Sequence, residues 1–509
     1  MKSVHSLAGC CLCIILVNSL LFLSSCKKDD NMPGEPPVVK PDLIFYSINA
    51  DGQLSKHNAK AVETAISTVA VSGLQPGETI MAIDFRPATG ELYGLGSTSR
   101  LYIINHVTGN ARAVAADPFT PAVSGTIAGF DFNPTVDRIR LVTATGQNLR
   151  LHPETGLVAA ADGNINGTAG AAISAVAYTY NKAGAAATTL FDIDMTTKKL
   201  YKQSPPNNGT LVEVGGLGIM PTGEAGFDIS PDAVALAGMQ VDGKSSLFSI
   251  DTATGKAVKL GNFPGSSMTT GIAIPTNAVA YAVDETNNLL IFNPFSTDVP
   301  VSKAIAGLVA GDDIAGIDFR PVNGQLYALG KAGNLYTLNA SSGAAALVGA
   351  GAFGTLNGSY FGFDFNPTVD RIRVVSSSGQ NIRLHPVTGL IAATDLPLNP
   401  GSPNVSAAAY SNNFAGAAST VLYDIDCNVD KLYKQLPPND GTLAEIGSLG
   451  INIESANGFD IGSASGTAWG IFTVGGKAGL YSVDLTTGTA TKKSDFAAKV
   501  KGFTVGLSL

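Results

Sequence analysis

The sequence predicts an all-β protein, a β-propeller made of two tandem five-bladed rings, and three observations carry that expectation. The chain is long, glycine-rich and poor in charge. It is written twice, and each half repeats a unit of four short strands. Its 509 residues include 58 Gly, with 45% apolar and only 14% charged residues, against about 25% charged in an average soluble protein. High apolar content with sparse charge excludes a disordered chain. The shortage of Glu, Lys and Arg excludes a coiled coil or helical array. A formal charge of −8 argues against nucleic acid as the main partner, because phosphate binding needs clustered Lys and Arg.

The duplication runs at an offset near 233 residues. Gly129 to Arg140 (GFDFNPTVDRIR) recurs unchanged as Gly362 to Arg373, and 23 of 29 positions agree when the match is extended to Leu157 and Leu390. Ile83–Pro87 matches Ile317–Pro321, Leu200–Gln203 matches Leu432–Gln435 with a Pro-Pro-Asn after each, and Gly226–Ile229 matches Gly458–Ile461. Two homologous halves follow, residues 42–276 and 277–509.

Each half repeats at about 45–48 residues. The unit opens on an apolar strand around Gly-Φ-Asp-Φ. A second strand follows (Glu91–Leu95, Arg138–Val142, Leu190–Ile193), then a third (Leu101–Ile104, Leu247–Ile250) that commonly ends in a Thr-Gly turn, and a weaker fourth. Four short strands joined by turn residues are the signature of a propeller blade. One blade cannot bury both of its faces alone, whereas a ring of blades covers them all. Inner strands are expected near Met81, Ala128, Val176, Ala225 and Gly271, then near Ala315, Phe361, Ala407, Asn457 and Gly502. Ile44–Ile48 and Val279–Val283 lack an inner strand before them in their own half. Ile272–Ile274 and Phe503–Val505 would supply it and close each ring. One ten-bladed ring satisfies the same count, because only Pro275–Asn277 separates the halves; two rings are preferred because each half is self-sufficient.

The N-terminus carries an address. Lys2 precedes an apolar run from Leu7 to Leu23, and Leu23-Ser24-Ser25-Cys26 closes it, the layout of a secretory signal. Ser-Ser-Cys after Leu resembles the bacterial lipobox, which implies cleavage before Cys26, lipidation of its thiol and removal of residues 1–25 as a signal peptide. A transmembrane anchor is the alternative, with a run at the low edge for a span. Cys10, Cys11 and Cys13 leave with the signal, so Cys427 alone remains and neither an intrachain disulfide nor a Cys-based zinc site is available. Residues 26–41 hold the lipidated Cys and a Pro-rich tether stiffened toward polyproline II. Lys27-Lys28-Asp29-Asp30 resembles the export signal of surface lipoproteins in Bacteroidetes-like bacteria. Outer-membrane attachment through an N-terminal lipid is therefore expected, on either the surface or the periplasmic face.

The segment GFDFNPTVDRIR…GQN(L/I)RLHP(E/V)TG resembles the hallmark of the DUF4394 domain family, in two tandem copies covering nearly everything from Asp42 to Leu509. The resemblance implies a propeller-like fold in an exported bacterial protein. It brings no activity and no catalytic residues.

Strand alternation places Arg138 and Arg140 on one face, and Asn148, Arg150 and His152 share a face of the next strand. If these strands pair, one blade face carries three Arg, a His and an Asn, with Asp131 and Asp137 nearby; the twin set is Arg371, Arg373, Asn381, Arg383 and His385 with Asp364 and Asp370. Charges packed between blades must be paired or remain open to solvent. One expectation is structural, with Asp131 and Asp137 clamping the arginines and setting the register of adjacent blades. The other is an anionic-ligand site, such as an acidic sugar or phosphate. Catalysis by His152 with Asp137 lacks a nucleophile, and no catalytic residue is assigned. The inner-strand aspartates Asp84, Asp131, Asp228, Asp318, Asp364 and Asp460 would point to the ring axes, where converging carboxylates can hold Ca²⁺; otherwise no cofactor is expected. Asp192-x-Asp194 and Asp424-x-Asp426 lack the rest of a calcium loop. The expected function is a lipid-anchored binding or scaffold module for a glycan, peptide or protein partner, duplicated in the two halves. An exported lyase or hydrolase acting on extracellular carbohydrate is the alternative.

Overall fold

The computed structural model describes residues 38–455 and 457–509; the expected signal peptide, Cys26 and most of the expected tether lie outside them. Lys40–Leu509 forms one compact unit. It contains ten four-stranded antiparallel sheets. Eight are built from four consecutive strands, and two are completed from a distance. Ile44–Asn49 pairs with Thr269–Ala273, and Ala280–Asp284 pairs with Val500–Val505. Each half is thus closed by joining its first strands to its last.

The inner strands settle the ring count. In the first ring, Ile80–Phe85, Ala128–Asn133, Ile173–Tyr178, Thr222–Ile229 and Thr269–Ala273 pack side by side, and the last returns to the first. The second ring closes the same way through Ile314–Arg320, Phe361–Asn366, Val405–Tyr410, Gly458–Ile461 and Val500–Val505. A single ten-bladed ring is excluded. We number the blades 1 to 5 and 6 to 10 in chain order, blades 1 and 6 being the shared closures.

The repeat chemistry explains the geometry. Inner strands sit so close that a Cβ on Gly129 would lie 2.7 Å from the backbone N of Val176 in the next blade. Glycine is required there by backbone approach. Gly109, in a Thr-Gly turn, needs its φ of +77° as well, and a Cβ there would also overlap Ala70 O. The apolar side chains fill the spaces between blades. Tyr93, Leu95 and Leu101 of blade 2 interlock with Phe130, Phe132, Ile139 and Leu141 of blade 3, and truncating one such Phe costs about 3–5 kcal/mol.

The two rings meet through the turns that follow their inner strands. Arg112 donates to Pro321 O (3.0 Å) and Val322 O, Tyr281 Oη donates to Ala88 O (2.9 Å), and Ser508 N donates to Thr89 O (3.1 Å). Ala88 packs into the second ring's cluster of Val279, Tyr281, Phe319 and Leu507. The ends at which the inner strands begin therefore face away from the seam. Among the described residues no helix is long and apolar enough to cross a membrane.

Candidate functional site

The duplicated motif comes together as alternation requires, but its partners differ from those expected. Arg140 and Arg150 stand opposite one another on neighbouring strands of blade 3. Their carboxylate is Asp162, which lies beyond the motif: Arg140 Nη1 donates to Asp162 Oδ2 at 2.7 Å, and Arg150 grips both of its oxygens at 2.8 and 2.9 Å. Arg140 also donates to Asn148 Oδ1 (2.7 Å) and reaches across to Asn207 Oδ1 of blade 4 (2.8 Å). Asn148 Nδ2 donates to Pro206 O at 3.0 Å. The Pro-Pro-Asn turn thus staples blade 4 onto blade 3. Burial alone would raise Asp162, yet Arg150 and Arg140 hold its carboxyl below the ordinary range. The second ring repeats the set with Arg373, Arg383, Asn381, Asp395 and Asn439. Arg140 and Arg373 are buried with their donors committed, so neither presents a free guanidinium to an anionic ligand.

Asp131 and Asp137 do set blade register, but through other groups. Asp137, held at φ +51° in the hairpin turn that Asp tolerates, receives Arg86 of blade 2 through Nε at 2.9 Å and through Nη2. Arg86 is fully buried and also pairs with Glu154, while its Nη1 donates to Gly324 O of the other ring at 2.9 Å. Burial opposes charge on Glu154, but Arg86 and His152 hold its carboxyl well below the ordinary range. His152 Nδ1 lies 2.7 Å from Glu154 Oε2, so its acidic neighbour is Glu154 and not Asp137. Arg138 Nη1 caps its own hairpin at Asp137 O (2.6 Å), as Arg371 does at Asp370 O (2.8 Å). In the second ring Arg320 pairs with Asp370, but Val387 stands in Glu154's place, and His385 Nδ1 accepts from the Val387 N–H at 3.2 Å.

The inner-strand aspartates converge on the axes. In each triad, Asp84–Asp131–Asp228 and Asp318–Asp364–Asp460, one carboxylate oxygen from each residue lies within 4.8 Å of the others. Their first task is to hold blades together. Asp84 Oδ2 accepts the Phe132 N–H (2.7 Å), Asp131 Oδ1 that of Tyr178 (3.0 Å), and Asp228 Oδ2 that of Ile274 (2.5 Å). In the first triad every oxygen except Asp131 Oδ2 accepts a hydrogen bond. Ca²⁺ wants six to eight oxygens, and three carboxylates already engaged with backbone amides do not make that shell. Burial, then mutual repulsion, pushes Asp84, Asp131, Asp318 and Asp364 well up, and burial takes Asp228 to about 7 and Asp460 to about 6. Thr504 Oγ1 lies 2.9 Å from both Asp318 Oδ1 and Asp460 Oδ2, where the first ring has Ala273.

Asp192 and Asp424 are also fully buried, with neither oxygen partnered, and burial raises Asp424 to about 8. Asp194 instead closes a turn, accepting from Thr196 N and Thr197 N. Cys427 is a buried free thiol raised by burial, packed where Met195 packs in the first ring.

The open concavities lie elsewhere. A cleft of about 560 Å³ runs along the seam, walled by Glu91, His106 and Arg112 of the first ring and by Pro321, Asn413 and Phe414 of the second. Glu91 Oε2 and Asn413 Oδ1 are buried there without partners, and Phe414 is 48% exposed. Burial holds Glu91 up. A second hollow, of about 250 Å³, opens at the mouth of the second ring between Asp313, Lys331, Tyr360, Asn457 and Lys501. Neither was visible as a motif, because each is assembled from short loop segments of several blades.

A family model described as a domain of unknown function, DUF4394, matches residues 53–273 and 288–504. No curated protein matches. Among solved structures, the chain is similar at 13% identity and a TM-score of 0.26 to PorZ of Porphyromonas gingivalis, described as an essential bacterial surface component of the type-IX secretion system; 90% of this chain and 59% of that one are covered. A structure described as the Dos1 propeller matches at 12% identity and a TM-score of 0.24, over 66% of this chain and 90% of that one.

Proposed function

This chain belongs to the DUF4394 family, carried in two tandem copies, and from that premise we propose that it is a binding module of the bacterial cell envelope, taking a glycan or peptide in the cleft between its rings. The observation that carries this reading is the cleft itself: it is the most spacious of the hollows described, and both rings build its walls. Mixed polar and apolar walls with a half-exposed aromatic ring suit recognition of a sugar or peptide. Catalysis is less well supported. The carboxyls raised furthest, on the axes and at Asp192 and Asp424, are buried away from both hollows, whereas a catalytic acid needs to reach substrate.

An array of glycans and peptides probed with the full chain tests this. Capture is expected, weakened about tenfold or more by Phe414→Ala. Cleavage products on the array, or capture indifferent to Phe414→Ala, would replace the reading with the carbohydrate-active alternative or with another surface.

Anchoring at Cys26 is proposed with it, supported by the lipobox-like Leu23–Cys26 and the tether after it. Cells fed labelled palmitate should yield labelled protein, and Cys26→Ser should remove the label. Label retained in that variant would sink the anchor.

A further inference from the structure

Both copies of the repeat keep the same buried scaffold, so residues that differ between copies and line an open hollow are informative. The mouth of the second ring is such a place. Glu285, Asp313, Lys331, Tyr360, Asn457 and Lys501 line it. Registering the halves on Asp84/Asp318, Asp131/Asp364, Asp228/Asp460 and Ala273/Thr504 puts Thr79, Ser97, Ile127, Ala225 and Thr270 at the positions of Asp313, Lys331, Tyr360, Asn457 and Lys501. Each of these five is small, aliphatic or hydroxylic in the first ring, although the strands beneath are the same.

We propose that this mouth is a second, separate binding site, specific to the second ring, for a neutral hydroxyl-bearing ligand such as a terminal sugar ring. The charges decide against an ion. Lys501 Nζ is committed to Asp313 Oδ1, to Asn287 Oδ1 at 2.9 Å and toward Glu285 O at 3.5 Å, and Lys331 Nζ lies 2.8 Å from Asp313 Oδ2. Two ammonium groups thus clamp one carboxylate, and exposed Glu285 brings the local charge to zero. An anion would have to displace Asp313, and a cation would face two ammonium groups.

What stays open is neutral hydrogen bonding beside an aromatic ring. Asn457 is 3% exposed; its Nδ2 donates to Ser406 Oγ (3.0 Å) and Glu454 O (2.7 Å), while its Oδ1 is buried without a donor. A buried amide oxygen left unpaired is costly, and a ligand hydroxyl would satisfy it. Tyr360, 37% exposed at the rim, offers the face on which a pyranose can lie.

Saturation-transfer NMR on the full chain, with methyl glycosides of glucose, galactose, mannose and N-acetylglucosamine as probes and methyl phosphate and ethanolamine as charged controls, tests the site. At least one glycoside should bind and neither control should. Tyr360→Ala, at an exposed position, should weaken that glycoside about tenfold with an unchanged melting midpoint, while Ile127→Ala, its counterpart in the first ring, should leave it unchanged. Binding should also survive Phe414→Ala, which separates this site from the seam. The proposal is overturned if no glycoside binds, if methyl phosphate or ethanolamine binds instead, or if Tyr360→Ala is without effect.

Discussion

Arg86→Ala should destabilise the protein by about 3–5 kcal/mol, the usual consequence of removing one partner from a buried ion pair. Arg86 is fully buried, and its loss would leave Asp137 without its counter-charge, Glu154 with only half-buried His152 beside it, and Gly324 O without its donor. The chain contains its own control. Arg320 occupies the equivalent turn of the second ring, but its pair with Asp370 has side-chain exposures of 14% and 29%, and Val387 removes the third charge. Arg320→Ala is therefore expected to cost only about 1 kcal/mol after solvent screening. Urea unfolding of the two variants gives the comparison. Since Arg86 also bonds across the seam, its variant should separate the unfolding of the two rings, whereas Arg320→Ala should keep the parental profile. Equal losses would mean that the buried triad contributes nothing special to the seam.

That contrast also marks how far the sequence could be read. Glu154 and Val387 are visibly different in otherwise matching segments, yet the difference acquires meaning only once the hairpin turns of the two rings are docked. The strands, the repeat and the closures, expected at Ile272–Ile274 and Phe503–Val505 and found at Thr269–Ala273 and Val500–Val505, were legible, because period-2 alternation and the Gly-Φ-Asp-Φ repeat are local signals. The apposition of Arg140 and Arg150 was legible for the same reason. Their clamp was not: Asp162 and Asn207 come from connections, and inter-blade packing alone decides that they reach Arg140. The Pro-Pro-Asn repeat was the available signal, seen as a repeat but not as a staple. The side chains of Asp131 and Asp137 meet the Tyr178 N–H and Arg86 and not the arginines of the motif, since neighbouring acids in sequence face different blades.

The buried carboxyls give the second large effect, a stability that falls as pH rises. In the folded chain Asp228 sits at about 7, Asp460 at about 6 and Asp424 at about 8, against an ordinary value of 3.8. Between about pH 4 and pH 8 the folded state therefore keeps protons that the unfolded chain has released, and stability declines with pH across that window. Asp84, Asp131, Asp192, Asp318 and Asp364, all raised by burial, act in the same direction. Below about pH 4 the sign reverses, because Glu154, Asp162 and Asp313 are held low by their cationic partners and lose those pairs on protonation. Maximum stability is thus expected near pH 4–5, on the acid side of the pH 5–8 range usual for proteins. A tenfold gain in proton affinity on folding is worth about 1.4 kcal/mol, so several groups together should lower the melting midpoint steeply from about pH 5 to about pH 8.5. Asp424→Asn supplies the decisive variant, since the amide stays neutral and matches the protonated acid in shape. It should flatten the slope in this window by one proton's worth and leave stability at about pH 5 nearly unchanged. A midpoint that is flat or rising from about pH 5 to about pH 8.5, or a variant slope identical to the parent's, would show that these carboxyls are ionised in the folded chain and matched there by a bound counter-charge.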